Sequence, residues 1–204
     1  FIVKFEQLFK VNTGVLGEER NFCADKRSFL IPLYQREYTW EDEKIITLVN
    51  DINKSNKYLG NIILDERENC YEIVDGQQRI TTCFLILACL YNYYQGHQRE
   101  QAALMQLIKP YGDYVLKNDS VGNYISEING RLVLNIESER DVYYQAEDFQ
   151  RAFQTISREI GDLSSYEDVL AFKRKLLDCK ILVLINNEHE NTHPVEQLFL
   201  DINE

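Results

Sequence analysis

The chain has 204 residues, 45% of them hydrophobic and 27% charged, the make-up of one large globular domain that can bury its own core. That excludes a disordered tail, a collagen-like chain and a disulfide scaffold. With 33 acidic against 22 basic residues the net charge is −11. This argues against a domain that grips DNA phosphates over its whole face, but leaves room for a small basic pocket for a nucleotide.

The longest apolar run, Cys83 to Tyr91, is far short of the roughly twenty residues a membrane helix needs, so it reads as core. No signal segment opens the chain, and no membrane association is expected. Phe1 in place of a start methionine reads as a trimmed piece of something longer. The five cysteines form no CxxC pair, and their odd number suits reduced thiols in a cytoplasmic protein. Cys83 and Cys89 read as packing residues.

In chain order, Thr39 is placed to cap a helix over about 40–53, with Asp42 at the third position and Ile45, Leu48, Val49 and Ile52 at helical spacing. Residues 58–64 read as a strand, Asp65 to Asn69 as a charged turn and residues 70–74 as the hairpin partner. After Thr81 and Thr82 comes a helix to about Tyr94, apolar nearly all round and therefore central. Helical periodicity returns in Gln98 to Ile108 and in Asp148 to Ile160. Residues 131–137 read as a strand. Ser164 with Glu167 resembles a capping box before a helix over 166–178. Residues 180–185 form the clearest late strand, and Pro194 fits the first turn of a last helix over 194–202.

His189-Glu190-Asn191-Thr192-His193 spells HExxH, a zinc-protease signature. That chemistry needs both histidines on one face of a continuous helix. Here the segment follows a strand, Asn191 and Thr192 are weak helix formers, and Pro194 pushes His193 off helical angles. It reads as a solvated loop. His97 lies in a polar stretch and reads as exposed.

The informative stretch is Asp75 to Thr82, where a strand, a glycine turn and a helix follow one another. Free N–H groups and the dipole at a helix start favour an anion. Gly76 permits positive φ or close approach of a ligand. Arg79 can fork onto a phosphate or carboxylate, and Asp75 can hold Mg²⁺ or orient a water. Gln77 and Gln78 offer donors and acceptors, and Thr81 or Thr82 a cap or a hydroxyl. The competing reading is a capped polar turn. A second cluster runs from Ile31 to Trp40. There Tyr34, Tyr38 and Trp40 could stack on a base and Arg36 could meet a phosphate, or the aromatics could fill core and Arg36 pair with a carboxylate. Core packing suits Trp40 better; Gln35 and Arg36 lean towards function.

Together, IPLYQREYTW, LGNIIL and EIVDGQQRITT resemble the N-terminal domain of GmrSD-type modification-dependent restriction proteins, known by its DGQQR motif. The segment from Glu196 to Asn203 resembles the family's later asparagine motif. The resemblance implies an α+β fold of the ParB/sulfiredoxin type, a small mixed sheet flanked by helices. Residues 1–95 would form the core carrying the nucleotide-site motifs, 96–178 a mainly helical extension, and 179–204 a strand and helix returning to the core. It also implies binding, and hydrolysis, of a nucleoside triphosphate, coupled to cutting of modified DNA by an HNH-type nuclease domain, C-terminal or separate. Carried over by position, Asp75, Gly76, Gln77, Gln78 and Arg79 form the nucleotide site, Tyr34, Gln35 and Arg36 are its neighbours, and Asn203 closes it. No HNH motif occurs in these residues, and the family's glycine-leucine turn after the asparagine is not part of this sequence.

The expected mechanism has Arg79 and a helix start at Thr81 and Thr82 on the phosphates, Asp75 on Mg²⁺, and Gln77 or Gln78, with Gln35, placing the attacking water. Phosphoryl transfer rests mainly on positioning and charge neutralisation, so this set suffices. With no Walker A loop, a P-loop NTPase is excluded. The alternative is a non-catalytic module recognising modified DNA or a partner nuclease domain. The net charge favours contact with DNA through the full-length protein rather than through this piece.

Overall fold

The computed structural model describes residues 1–10, 22–23, 27–54, 57–135 and 143–186, of which 143–146 in their backbone alone. In chain order the elements are β1 (Ile2–Lys4), α1 (Phe5–Phe9), β2 (Ser28–Ile31), α2 (Asp42–Asn53), β3 (Tyr58–Glu66), β4 (Cys70–Asp75) and α3 (Gln77–Tyr93). There follow α4 (Gln98–Ile108), β5 (Leu116–Asn118), β6 (Gly122–Asn123), β7 (Ile125–Ile128), β8 (Arg131–Leu134), α5 (Tyr143–Gly161), α6 (Tyr166–Asp178) and β9 (Lys180–Asn186).

A mixed seven-stranded sheet has the order β1-β9-β3-β4-β2-β5-β6, and β7 and β8 form a separate hairpin. β3 and β4 are antiparallel neighbours, β4 and β2 are parallel, and β9 enters in parallel between β3 and the edge strand β1. The molecule is thus α+β, a mixed sheet flanked by helices.

Every residue of α3 from Ile80 to Tyr91 is buried, as an all-round apolar helix must be. It contacts α4, α5 and β8. Rings at its sheet side meet edge to face: Phe9 stands 5.4 Å from Phe29 and 6.4 Å from Phe84. Each such buried side chain contributes about 1.5–3 kcal/mol of transfer free energy. Among the described residues no helix is long and apolar enough to cross a membrane.

Four local expectations are corrected. The N-cap of α2 is Glu41, not Thr39, so Asp42 opens the helix instead of standing third. Thr39 is held elsewhere, its N–H donating to Gln78 Oε1 at 2.9 Å. The charged turn shrinks to residues 67–69, because β3 runs on through Asp65 and Glu66, which pair with Arg67 and Arg27. Helix α3 begins at Gln77, ahead of Thr81 and Thr82, because Gly76 turns the chain at once. The cap of α6 is Ser165, whose Oγ accepts from the Asp168 N–H. The HExxH segment, the helix over 194–202 and Asn203 lie outside the described residues.

Candidate functional site

β2 and β4 run parallel, with Leu30 opposite Glu72, so both leave the sheet at the same end, where β3 begins. After β2, residues 32–41 cross over that end. After β4, Gly76 takes φ +86° as the N-cap of α3. No other residue fits: a β-carbon there would stand 2.8 Å from Ile62 Cγ2 and 2.9 Å from the Asn61 carbonyl oxygen. The first intrahelical bond runs from Ile80 N–H to Gly76 O, leaving the N–H groups of the first turn without helical acceptors.

The two motif segments are bound together by amides on backbone. Gln77 Nε2 donates to Arg36 O and Gln78 Nε2 to Glu37 O, each at 2.8 Å. Gln35 reciprocates, donating to Val74 O at 2.7 Å. A carbonyl can only accept, so each partner fixes the orientation of its amide. Gln78 is committed at both ends, since its Oε1 receives the Thr39 N–H. Both motif glutamines are buried.

Thr81 and Thr82 point into the protein. The Thr82 hydroxyl donates to Gln78 O and meets the Tyr38 hydroxyl at 2.8 Å, while Thr81 bonds to the Tyr124 hydroxyl. Neither caps α3 and neither is among the described residues lining the cleft at its start. Burial pushes the Tyr38 hydroxyl well above the usual tyrosine range, with the Thr82 bond opposing it, so Tyr38 stays protonated. Its ring stacks on Phe149 of α5 at 5.0 Å. Tyr34 is 67% exposed and bonds to Glu72, whose carboxylate, after burial, raises its pKa; it does not line the cleft at the α3 start.

That cleft, about 470 Å³, is lined by Gln35, Arg36, Trp40, Asn61 and the run from Val74 to Arg79. The structure therefore brings together Asp75, Gly76, Gln77, Gln78, Arg79, Gln35 and Arg36, and separates from them Tyr34, Thr81 and Thr82. Asp75 and Arg36 are exposed and Arg79 is half-buried. Among the described residues none of these three side chains has a hydrogen-bond or ion-pair partner, so two guanidinium groups and one carboxylate line the cleft without fixed partners. Guanidinium groups beside a helix start suit a phosphate or carboxylate.

No group of three or more metal-ligating side chains occurs among the described residues. Among the described residues Asp75 is the one carboxylate lining this cleft. A single carboxylate fits Mg²⁺, which keeps several waters and takes other oxygens from a bound phosphate; it does not fit a metal held by protein alone.

Sequence reasoning missed two features. Gly60 takes φ +99° at an irregular step in β3, and the Arg79 guanidinium lies against it. An isolated glycine inside a strand pattern was the available signal. A second cleft, about 790 Å³, shares Trp40 and Arg79 with the first and extends between α2 and the start of β3. Its walls come from the stretch between Trp40 and Gly60, α2 and the start of β3, with Arg79 added from α3, and no motif marks that stretch.

No curated protein matches this chain. A family model, GmrSD restriction endonuclease, N-terminal domain, matches residues 19–204, taking in α2, β3, β4, α3 and the cleft at their junction. With the match running over most of its length, the chain belongs to the GmrSD restriction endonuclease N-terminal domain family and is part of a restriction system.

Proposed function

We propose that this domain binds a nucleoside triphosphate with Mg²⁺, and hydrolyses it, as the regulatory part of a bacterial anti-phage restriction system acting on modified DNA. An HNH-type nuclease domain, C-terminal or separate, would do the cutting, and contact with DNA would be made through the full-length protein. A ParB/sulfiredoxin-like kinship of the sheet belongs to the same reading. The observation that supports it is the unpartnered Arg79 guanidinium beside the α3 N-terminus, in a cleft that Arg36 also lines.

In this reading Arg79, Arg36 and the N–H groups after Gly76 neutralise the phosphates. Asp75 accepts from waters of the Mg²⁺ carried by the triphosphate. Gln35 and Gln77 use their nitrogens on backbone carbonyls, so their carbonyl oxygens are the groups able to orient an attacking water. Gln78 has both ends occupied and acts as a positioning residue. Thr81 and Thr82 support the helix from within. Asn203 keeps its place in the proposal as a closing residue.

The test is a thermal-shift titration with each nucleoside triphosphate plus Mg²⁺. A ligand at a hundred times its Kd adds about 2.7 kcal/mol, which raises Tm by roughly 5–10 °C in a chain of this size. Arg79→Ala should keep the fold and lose the shift. If no nucleotide moves Tm, the domain is instead a recognition module for modified DNA or for a partner nuclease domain.

A further inference from the structure

The second cleft continues the first. Arg79 and Trp40 line both, so the two adjoin as one groove at these side chains. Its chemistry changes along its length. At the α3 end lie Arg36, Arg79 and the helix start. Along the second cleft α2 presents Glu43, Thr47 and Asp51, spaced four residues apart and so stacked on one helix face over about 12 Å. The same cleft is lined by the buried apolar side chains of Leu48, Ile52 and Leu59 and by Tyr58, which is half exposed.

Among the described residues neither Glu43 nor Asp51 has a hydrogen-bond or ion-pair partner. Carboxylates accept hydrogen bonds and repel anions. They therefore exclude a phosphate and take a group that presents O–H or N–H donors, while Trp40 and Tyr58 give a flat ring a surface to pack on. Lys44, on the same wall, is outnumbered by the two carboxylates. A nucleic acid strand laid along this groove would bring further phosphates against Glu43 and Asp51, so the groove suits a mononucleotide and opposes a strand.

Resting on the nucleotide reading above, we infer that the α2 cleft is the nucleoside subsite: phosphates lie at Arg79, the ring system packs against Trp40, and Glu43, Thr47 and Asp51 receive the ribose hydroxyls and ring N–H groups.

Inorganic triphosphate with Mg²⁺ carries the phosphates without the nucleoside and separates the two ideas. Calorimetric titrations would compare it with the four ribonucleoside triphosphates on the wild-type chain, Asp51→Ala and Trp40→Phe, each variant first checked for an unchanged far-ultraviolet spectrum. The subsite predicts that at least one nucleoside triphosphate binds about tenfold or more tightly than inorganic triphosphate, the scale of one aromatic stack with its hydrogen bonds. Asp51→Ala should remove most of that advantage and leave the affinity for inorganic triphosphate within about twofold. Equal binding of the two ligands by the wild type, or equal weakening of both by Asp51→Ala, overturns the subsite and leaves the phosphate site standing. Failure of both ligands to bind overturns the nucleotide reading and this inference with it.

Discussion

The guanidinium of Arg79 lies against the α-carbon of Gly60, so close that a β-carbon there would overlap Nη1 and stand 3.0 Å from Cζ. Gly60 comes from β3 and Arg79 from the first turn of α3. The helix dictates where the arginine starts; the glycine decides where its charge ends. Gly60→Ala should therefore do two things. The positive φ costs about 1–2 kcal/mol of stability for an L-residue, read as a lower denaturant midpoint. The displaced guanidinium should weaken nucleotide binding by about tenfold. In an Arg79→Ala background the same change should have no further effect on binding, because the group it displaces is gone. An unchanged nucleotide affinity in Gly60→Ala alone would remove the glycine from the site.

Gln78 joins α3 to the segment before α2 through two bonds, to Glu37 O and from the Thr39 N–H. Gln78→Ala leaves both backbone groups to find other partners, at about 2–3 kcal/mol. Gln78→Glu is the sharper test. A carboxylate still accepts the Thr39 N–H but faces the Glu37 carbonyl with a second acceptor, so stability should fall at neutral pH and recover as pH drops and the acid is protonated. Equal stability of wild type and Gln78→Glu at pH 7 would show that the amide nitrogen carries nothing.

Much of this arrangement could be read from the sequence, for physical reasons that differ by element. Helix α4 falls at Gln98–Ile108, as its periodicity indicates, and α6 at Tyr166–Asp178, as the capping pattern before it indicates; each buries one clean stripe. The β3–β4 hairpin is equally plain, but its turn is overstated: Asp65 and Glu66 look like loop residues until Arg67 and Arg27 arrive to pair with them. Strands such as β1, β5 and β6 are too short to carry a pattern. At the site, the composition of the Asp75–Arg79 turn pointed to anion chemistry. What could not be read is that its glutamines bond to backbone carbonyls across the cleft, since a carbonyl leaves no mark on residue identity. The threonines misled for a related reason. A hydroxyl beside a helix start looks like a cap, and here Gly76 had already begun the helix.

Helix α5 reaches the same segment from the other side. Thr155 is buried and donates to Asp42 Oδ1 at 2.9 Å, while Arg151 pairs with Asp42 at 3.7 Å and with Asp148 at 2.8 Å. Phe149 stacks on Tyr38. The wall of the cleft is thus fixed by α3 inside and α5 outside. The Arg151 pairs are about half exposed and contribute little, at most about 1 kcal/mol. The buried hydroxyl contributes more: Thr155→Val should cost about 1–2 kcal/mol. In a double-mutant cycle with Asp42→Ala the two losses should fall short of additivity by about 1 kcal/mol, as expected for direct partners. Full additivity would mean that the Asp42–Thr155 bond does not hold the wall.

The thiols should make the native domain unreactive and sensitive to alkali. Burial pushes Cys23, Cys83 and Cys89 up to about 12 and Cys179 to about 11. Cys70 is half-buried, and it too is raised, first by burial and then by Glu72. The thiolate is the reacting form, so iodoacetamide at pH 8 should label Cys70 first and reach the other four only when the chain opens. The same shifts set a pH limit. A thiol whose folded pKa is raised holds its proton more tightly when folded. Its contribution to stability is complete below the unfolded value, near 8.5, and is lost as pH climbs towards 12. The denaturant midpoint should therefore be flat with respect to these thiols up to about pH 8 and fall above it. The buried tyrosines Tyr38 and Tyr124, also raised by burial, should steepen the fall from about pH 10. Rapid labelling of all five thiols in the native state at pH 8, or a midpoint that holds steady to pH 11, would contradict the packing of α3 around Cys83 and Cys89.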